Sequence, residues 1–206
     1  MQINNLQFSY NKNVPIFKDF NFESDEKYIF FRGYSGCGKS TLLKLISQNL
    51  IPDDGIIRIN NSDKVCLILQ EDALFPWLNG IQNIKSILKE ISDDEITNHS
   101  MFQYVKDFIH RKAFSLSYGQ RRLIELFRAI LYKPMILCLD EPFNYLDERS
   151  RQFVSDIIFS NDFFKETRQI VMTTHYDSDI SSIKDINYSS YYFNGKMPYE
   201  KLEKRN

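Results

Sequence analysis

The chain has only three cysteines, seven glycines and three histidines among 206 residues. Cys37, Cys66 and Cys138 are scattered, without metal-ligand spacing, so neither a disulfide framework nor a zinc module is encoded. Cys66 and Cys138 fall in apolar runs that read as buried strands. No apolar run approaches the ~20 residues that cross a bilayer, which excludes a spanning helix. The start, "MQINNLQFSY", lacks a signal-peptide pattern, and together these absences predict a cytoplasmic protein. Charge of one sign is not in excess either: 26 Lys and Arg face 27 Asp and Glu, so nothing advertises nucleic acid. Internal repeats and low-complexity linkers are missing. Aromatic residues are plentiful, 17 Phe and 12 Tyr, and with 43% hydrophobic residues they exclude general disorder. At this length one domain spanning 1–206 with a full core is expected, with room for an inserted subdomain.

The pattern along the chain predicts an α/β fold. "MQINNLQFSY" and "FKDFNFES" alternate as neighbouring strands of an antiparallel layer. "KYIFFRG" is a short apolar strand running into a glycine loop, and "KSTLLKLISQ" follows with helical spacing. "GIIRIN" and "KVCLILQ" read as strands. From 71 to about 115 helices follow with no strand between them, which marks a helical insertion, placed with the next helix at about 71–132. Helix "GQRRLIELFRAILY", strand "MILCLD", helix "ERSRQFVSDIIF" and strand "RQIVMTTH" then alternate, which implies a mostly parallel sheet covered on both faces. "SSYYFNGKM" reads as a last hairpin.

Three of the seven glycines lie within "GYSGCGKST", residues 33–41. Gly33-x-x-x-x-Gly38-Lys39-Ser40 matches a phosphate-binding loop in its required setting of strand, loop and helix. A chance match in a turn would lack that setting. Glycines let backbone come close to a ligand, and a helix N-terminus favours anions. Tyr34, Ser35, Gly36, Cys37 and Thr41 complete the expected cradle, Lys39 sets a positive charge against the β- and γ-phosphates, and Ser40 offers a hydroxyl to Mg²⁺. Cys37 sits among amide groups at that helix start, a setting expected to lower its thiol pKa. Downstream, the buried-looking strand "MILCLD" ends in two carboxylates. Asp140 is expected to hold Mg²⁺, and Glu141 to act as general base on the attacking water.

"LSYGQRR" at 116–122 resembles the LSGGQ signature of the ATP-binding cassette (ABC) ATPases, and it lies just upstream of the carboxylate strand as in that family. Other positions follow in the family's order. Gln70 resembles the Q-loop, where it is a further Mg²⁺ ligand. "NYLD", ending in Asp147, resembles the D-loop, and His175 in "TTHYD" the switch histidine. Tyr10 looks like the aromatic residue that stacks on adenine. The resemblance runs from Tyr10 to His175. It implies a P-loop ATPase core with an antiparallel β layer and an inserted helical subdomain. Its ligands would be ATP and Mg²⁺, bound in a head-to-tail dimer with a second copy or a homologous ATPase subunit. Ser117, Tyr118, Gly119 and Gln120 would face the γ-phosphate of the opposite subunit. Lys39, Gln70, Glu141 and His175 would carry the hydrolysis. Two departures are visible: Tyr118 replaces the first signature glycine, and Tyr145 a usually small D-loop residue.

The family resemblance implies the ATPase subunit of a transporter, peripheral on the inner membrane face and coupled to separate permease subunits, with a substrate-binding protein as a further partner of an importer. Residues 70–84 look like the nitrate, sulfonate and taurine importer type. A soluble ABC ATPase acting on nucleic acid or ribosomes is the alternative, as is a small exporter subunit; the first usually carries coiled-coil arms, zinc modules or paired cassettes. A small-molecule kinase is disfavoured by the signature and the Glu141 base. In "LFPWLNG", Pro76 and Gly80 predict a loop whose Trp77 either meets a permease helix or cements the insertion. His99 and His110 are given no chemistry, and the Arg121–Arg122 pair reads as a solvated face or a partner to carboxylates.

Overall fold

The runs at 28–33, 136–139 and 169–174 offer no polar face, and each becomes a strand of residues buried almost throughout, as a sheet covered on both sides requires. In the computed structural model, which describes residues 1–11, 14–59, 63–160, 162–175 and 186–205, these runs are β3 (Tyr28–Gly33), β6 (Ile136–Leu139) and β7 (Gln169–Thr174). They join β5 (Val65–Ile68), β8 (Tyr188–Phe193) and β9 (Glu203–Arg205) in one sheet of order β5-β6-β7-β3-β8-β9. Strands β6, β7, β3 and β8 run parallel, and β9 closes the edge antiparallel to β8. The mostly parallel sheet is as expected, but the hairpin expected within "SSYYFNGKM" is not formed there: β8 pairs instead with β9, across a connection of nine residues, 194–202.

A second sheet, of order β2-β1-β4, is built from β1 (Gln2–Asn11), β2 (Val14–Glu23) and β4 (Asp54–Arg58), all antiparallel. Its alternation buries Ile3, Leu6 and Phe8 from β1 with Phe17, Phe20 and Phe22 from β2. These rings meet Ile29 and Phe31 of β3 and Leu42, Leu43 and Ile46 of helix α1 (Lys39–Ile46) in one apolar cluster. Phe22 packs edge-on against Phe31 at 5.4 Å. The abundance of phenylalanine therefore serves to weld the antiparallel layer to the parallel sheet.

By its contacts the chain divides into two compact units, one of Met1–Leu67, Met135–Pro142 and Arg168–Asn206, the other of Ile68–Pro134 and Phe143–Thr167. The second is helical: α2 (Gly80–Ile87), α3 (Asp93–Thr97), α4 (Phe102–Val105), α5 (Tyr118–Tyr132) and α6 (Glu148–Phe159). Helix α5 is central, packing against α2, α4 and α6. The segment "EITNHSMFQYVKDFI" breaks into α3 and α4. The poor helix formers Asn98, His99 and Ser100 lie between them, and His99 Nδ1 accepts the Met101 amide in a turn, 3.1 Å.

Candidate functional site

In the first unit, β3 delivers the chain into the glycine loop, and α1 leaves it. Gly33 has φ 143°, and a Cβ there would stand 2.6 Å from the Phe193 carbonyl oxygen of β8. Gly38 (φ 100°) is the N-cap of α1 and brings no side-chain cap, so the amides of the first turn are left for a ligand. Lys39 is buried, and its Nζ donates to the Gly33 and Tyr34 carbonyls, both at 2.9 Å. Burial holds its pKa below the ordinary lysine range, against the pull of Cys37, Glu141 and Asp140. Tyr34, Ser35 and Gly36 face solvent along the loop.

The two carboxylates arrive at the end of β6. Asp140 is 5% exposed and Glu141 7%, costly places for charge without a partner. Asp140 Oδ1 accepts the hydroxyls of Ser40, at 3.0 Å, and Thr173, at 2.6 Å. Thr173 Oγ1 in turn accepts the Glu141 amide at 2.9 Å. Glu141 adopts φ 47°, left-handed and strained for a residue with a side chain, as functional positions often are. Its Oε1 touches His175 Nε2. His175 Nδ1 lies 2.8 Å from the Gly33 carbonyl oxygen and 3.4 Å from Lys39 Nζ. Loop, carboxylates and histidine are thus brought together within one unit. Thr173 was not foreseen, although a polar pair ending the apolar strand "QIVMTT" was its signal.

Tyr10 is 62% exposed, whereas the neighbouring Phe8 and Phe17 are buried, which leaves Tyr10 as the aromatic face open to a base. Its hydroxyl lies 3.3 Å from Thr41 Oγ1. Cys37 corrects an expectation. The thiol is 4% exposed, and burial pushes its pKa up, with the Lys39 charge and nearby amides pulling against that without reversing it. Cys138 is fully buried and also raised, while Cys66 is only half-buried, less of a core residue than expected.

The second unit holds the remaining motif residues, each with a local task. Ser117 caps α5 in a capping box: its Oγ accepts the Gln120 amide at 3.2 Å, and Gln120 Oε1 accepts the Ser117 amide at 3.0 Å. Gly119 packs so closely against α6 that a Cβ would stand 2.5 Å from Ser150 Oγ. Asp147 caps α6 through the Ser150 amide at 2.8 Å, and that bond holds its carboxyl below the usual range. Gln70 donates its amide to the Tyr145 hydroxyl, 3.2 Å. Arg122 is 1% exposed and pairs with the equally buried Glu125 at 3.0 Å, while Arg121 reaches Asp72 at 2.9 Å. The arginine pair is therefore a partner to carboxylates, not a solvated face. Its second member builds a buried network that helical periodicity could not reveal.

An uncapped helix behind a glycine loop, facing a strand-end carboxylate pair on a parallel sheet, defines the class of P-loop nucleotide-binding proteins. The ABC transporter family model matches residues 18–144, more than half of the chain, and the chain belongs to that family. It is 34% identical over 190 residues to the spermidine/putrescine import ATP-binding protein PotA of Fusobacterium nucleatum, covering 84% of this chain and 50% of the relative. The chain thus spans about half the length of the first relatives it matches. The phosphate import ATP-binding protein PstB of Mycoplasma capricolum is 30% identical over 227 residues, covering 96% of this chain and 82% of the relative. Among solved structures, the dimeric structure of MJ0796, a bacterial ABC transporter cassette, superposes with a TM-score of 0.81 at 20% identity, over 100% of this chain and 97% of the other. At that identity the likeness is one of fold.

Proposed function

We propose that the chain is the ATP-binding and ATP-hydrolysing subunit of an ABC transporter, energising transport through separate membrane subunits by ATP-driven dimerisation. The observation that carries this is the uncapped N-terminus of α1, wrapped by the loop of Gly33, Gly36 and Gly38 beside Lys39 and two buried carboxylates. Loop amides and the helix end hold the phosphates, Lys39 balances their charge, and Tyr10 takes the adenine. Glu141 accepts the proton of the attacking water, and His175, already in contact with it, holds that carboxylate in place. Ser40 and Asp140 would hold Mg²⁺ with Gln70; the hydroxyl and carboxylate oxygens suit a hard cation, and those of Ser40 and Asp140 stand 3.0 Å apart. Bound there, Mg²⁺ would supply charge neutralisation at the phosphates.

Ser117, Tyr118, Gly119 and Gln120 are assigned to the γ-phosphate of the opposite subunit, and Asp147 to the D-loop contact. No helix among the described residues is long and apolar enough to cross a membrane. The proposed place is the inner membrane face, beneath permease subunits. The import ATP-binding names of the two relatives favour uptake, with a substrate-binding protein as further partner. The solute is left to those partners, so the nitrate-type resemblance of residues 70–84 is not carried into the assignment. Glu141→Gln tests the reading. It should bind ATP, lose hydrolysis by ~10²–10⁴-fold, and elute as an ATP-dependent dimer. Turnover near the parent's removes Glu141 from the role of base, and no ATP-dependent association removes dimerisation.

A further inference from the structure

We propose that Tyr145 is a positioning residue that fixes the carboxamide of Gln70, acting with Tyr118 and Arg122 to hold the Q-loop residue at both its backbone and its side chain. The inference rests on the assignment of Gln70 as a Mg²⁺ ligand.

Gln70 follows the last residues of an apolar strand, and a long polar side chain at such a place has many rotamers of similar energy. Three side chains of the second unit reduce that freedom. The Tyr118 hydroxyl donates to the Gln70 carbonyl. Arg122 Nη2 donates to the same carbonyl at 2.8 Å and to the Tyr118 hydroxyl, also at 2.8 Å. Arg122 Nη1 holds the preceding Leu69 carbonyl at 2.9 Å, and Glu125 accepts the Ala73 amide at 2.7 Å. Helix α5 therefore grips the backbone of residues 69–73 from one side.

The side chain is held from the D-loop. Gln70 Nε2 donates to the Tyr145 hydroxyl at 3.2 Å. With the nitrogen end of the carboxamide on this phenol, the oxygen, the only metal-binding atom of the group, is left for another partner. Tyr145 itself adopts φ 61°, a left-handed backbone uncommon for a bulky residue, and its ring packs edge-on against Tyr118 at 5.7 Å. The two tyrosines at signature and D-loop positions usually filled by small residues thus meet each other and share one target. They act as one device.

The test measures affinity for a fluorescent ATP analogue, with and without Mg²⁺, for the full chain, Gln70→Ala, Tyr145→Phe and the double variant. Tyr145→Phe removes one solvent-facing hydroxyl and keeps the ring. It should weaken the Mg²⁺-dependent gain in affinity by roughly two- to tenfold, the worth of one hydrogen bond. Binding without Mg²⁺ should be unchanged. The double variant should match Gln70→Ala, because Tyr145 acts only through that carboxamide. A parent-like Tyr145→Phe beside an impaired Gln70→Ala overturns the inference and leaves the ligand assignment standing. A parent-like Gln70→Ala overturns both. An equal further loss on adding Tyr145→Phe to Gln70→Ala shows that Tyr145 acts by another route and also overturns the inference.

Discussion

The first unit and the second start their helices differently. Helices α2, α3, α5 and α6 of the second unit each begin with a side-chain cap, from Asn79, Ser92, Ser117 and Asp147. Helix α1 of the first unit begins at Gly38 with none. The four-residue α4 also lacks a side-chain cap, but only α1 combines an uncapped start with a glycine loop and a buried lysine. A glycine cap costs only a few tenths of a kcal/mol while leaving the amides open to an anion. The first unit is therefore a site prepared for an anion. The second spends most of its helix starts on its own side chains. The capping box of Ser117 and Gln120 uses only their acceptor oxygens, so the Ser117 hydroxyl and the Gln120 amide can still donate to a phosphate.

The largest expected effect lies where the second unit is most self-sufficient. Arg122→Met removes the partner of the buried Glu125, whose carboxyl burial already pushes up while Arg122 and the Ala73 amide pull it down. It also removes a donor from the Leu69 carbonyl and leaves the Gln70 carbonyl to Tyr118. Urea unfolding should show a loss of about 3–5 kcal/mol. Replacing Glu125 by Leu in the same chain should recover much of it, since two apolar side chains leave no unpaired charge. A loss under ~1 kcal/mol in Arg122→Met would mean that water, not this pair, satisfies the site.

A smaller effect separates the two tasks of Ser117. If its hydroxyl only caps α5, Ser117→Ala should cost about 1 kcal/mol. That corresponds to roughly 2–4 °C in melting temperature, with ATPase turnover intact below the melt. If it also meets a phosphate in the dimer, turnover falls in fully folded protein while the melting shift stays the same. Melting and steady-state hydrolysis of one variant sharpen the contrast between the units.

The same contrast explains what could be read from residues alone. The strand runs, the antiparallel start and the glycine loop were legible because each is local: a period of two, an unbroken apolar run, or a motif within nine residues, 33–41. The grouping of Lys39 with Asp140, Glu141 and His175 followed because the strands that precede them, β3, β6 and β7, share one parallel sheet. The meeting of Gln70, Tyr118 and Tyr145 was not legible, since loops bring them together and no periodicity reports it. Cys37 misled for a similar reason. A helix start argues for a lowered thiol pKa, but packing buries the sulfur, and burial outweighs the nearby charge.

The smallest effect is expected at Trp77. The loop that carries it is shaped by Asn83, fully buried, whose Nδ2 donates to the carbonyls of Phe75 and Leu78, each at 3.2 Å, and of Asn79 at 3.0 Å. Asn83 Oδ1 accepts the Phe75 amide at 2.7 Å. Leu74, 7% exposed, supplies the apolar anchor, so the loop keeps its form without the indole. Trp77 is 63% exposed and Phe114 67%, and the Phe114 amide donates to the Pro76 carbonyl at 3.0 Å, which joins their two segments. An exposed ring contributes little burial, so Trp77→Ala should change stability by no more than about 0.5 kcal/mol. That argues against cement and for a docking anchor, because exposed tryptophans are over-represented among binding hot spots. If the chain couples to permease subunits as proposed, co-purification with them should fail for Trp77→Ala, while ATP affinity of the isolated chain stays at the parent's value. A melting temperature several degrees lower would restore the cementing role, and normal permease binding by a stable variant would remove the docking one.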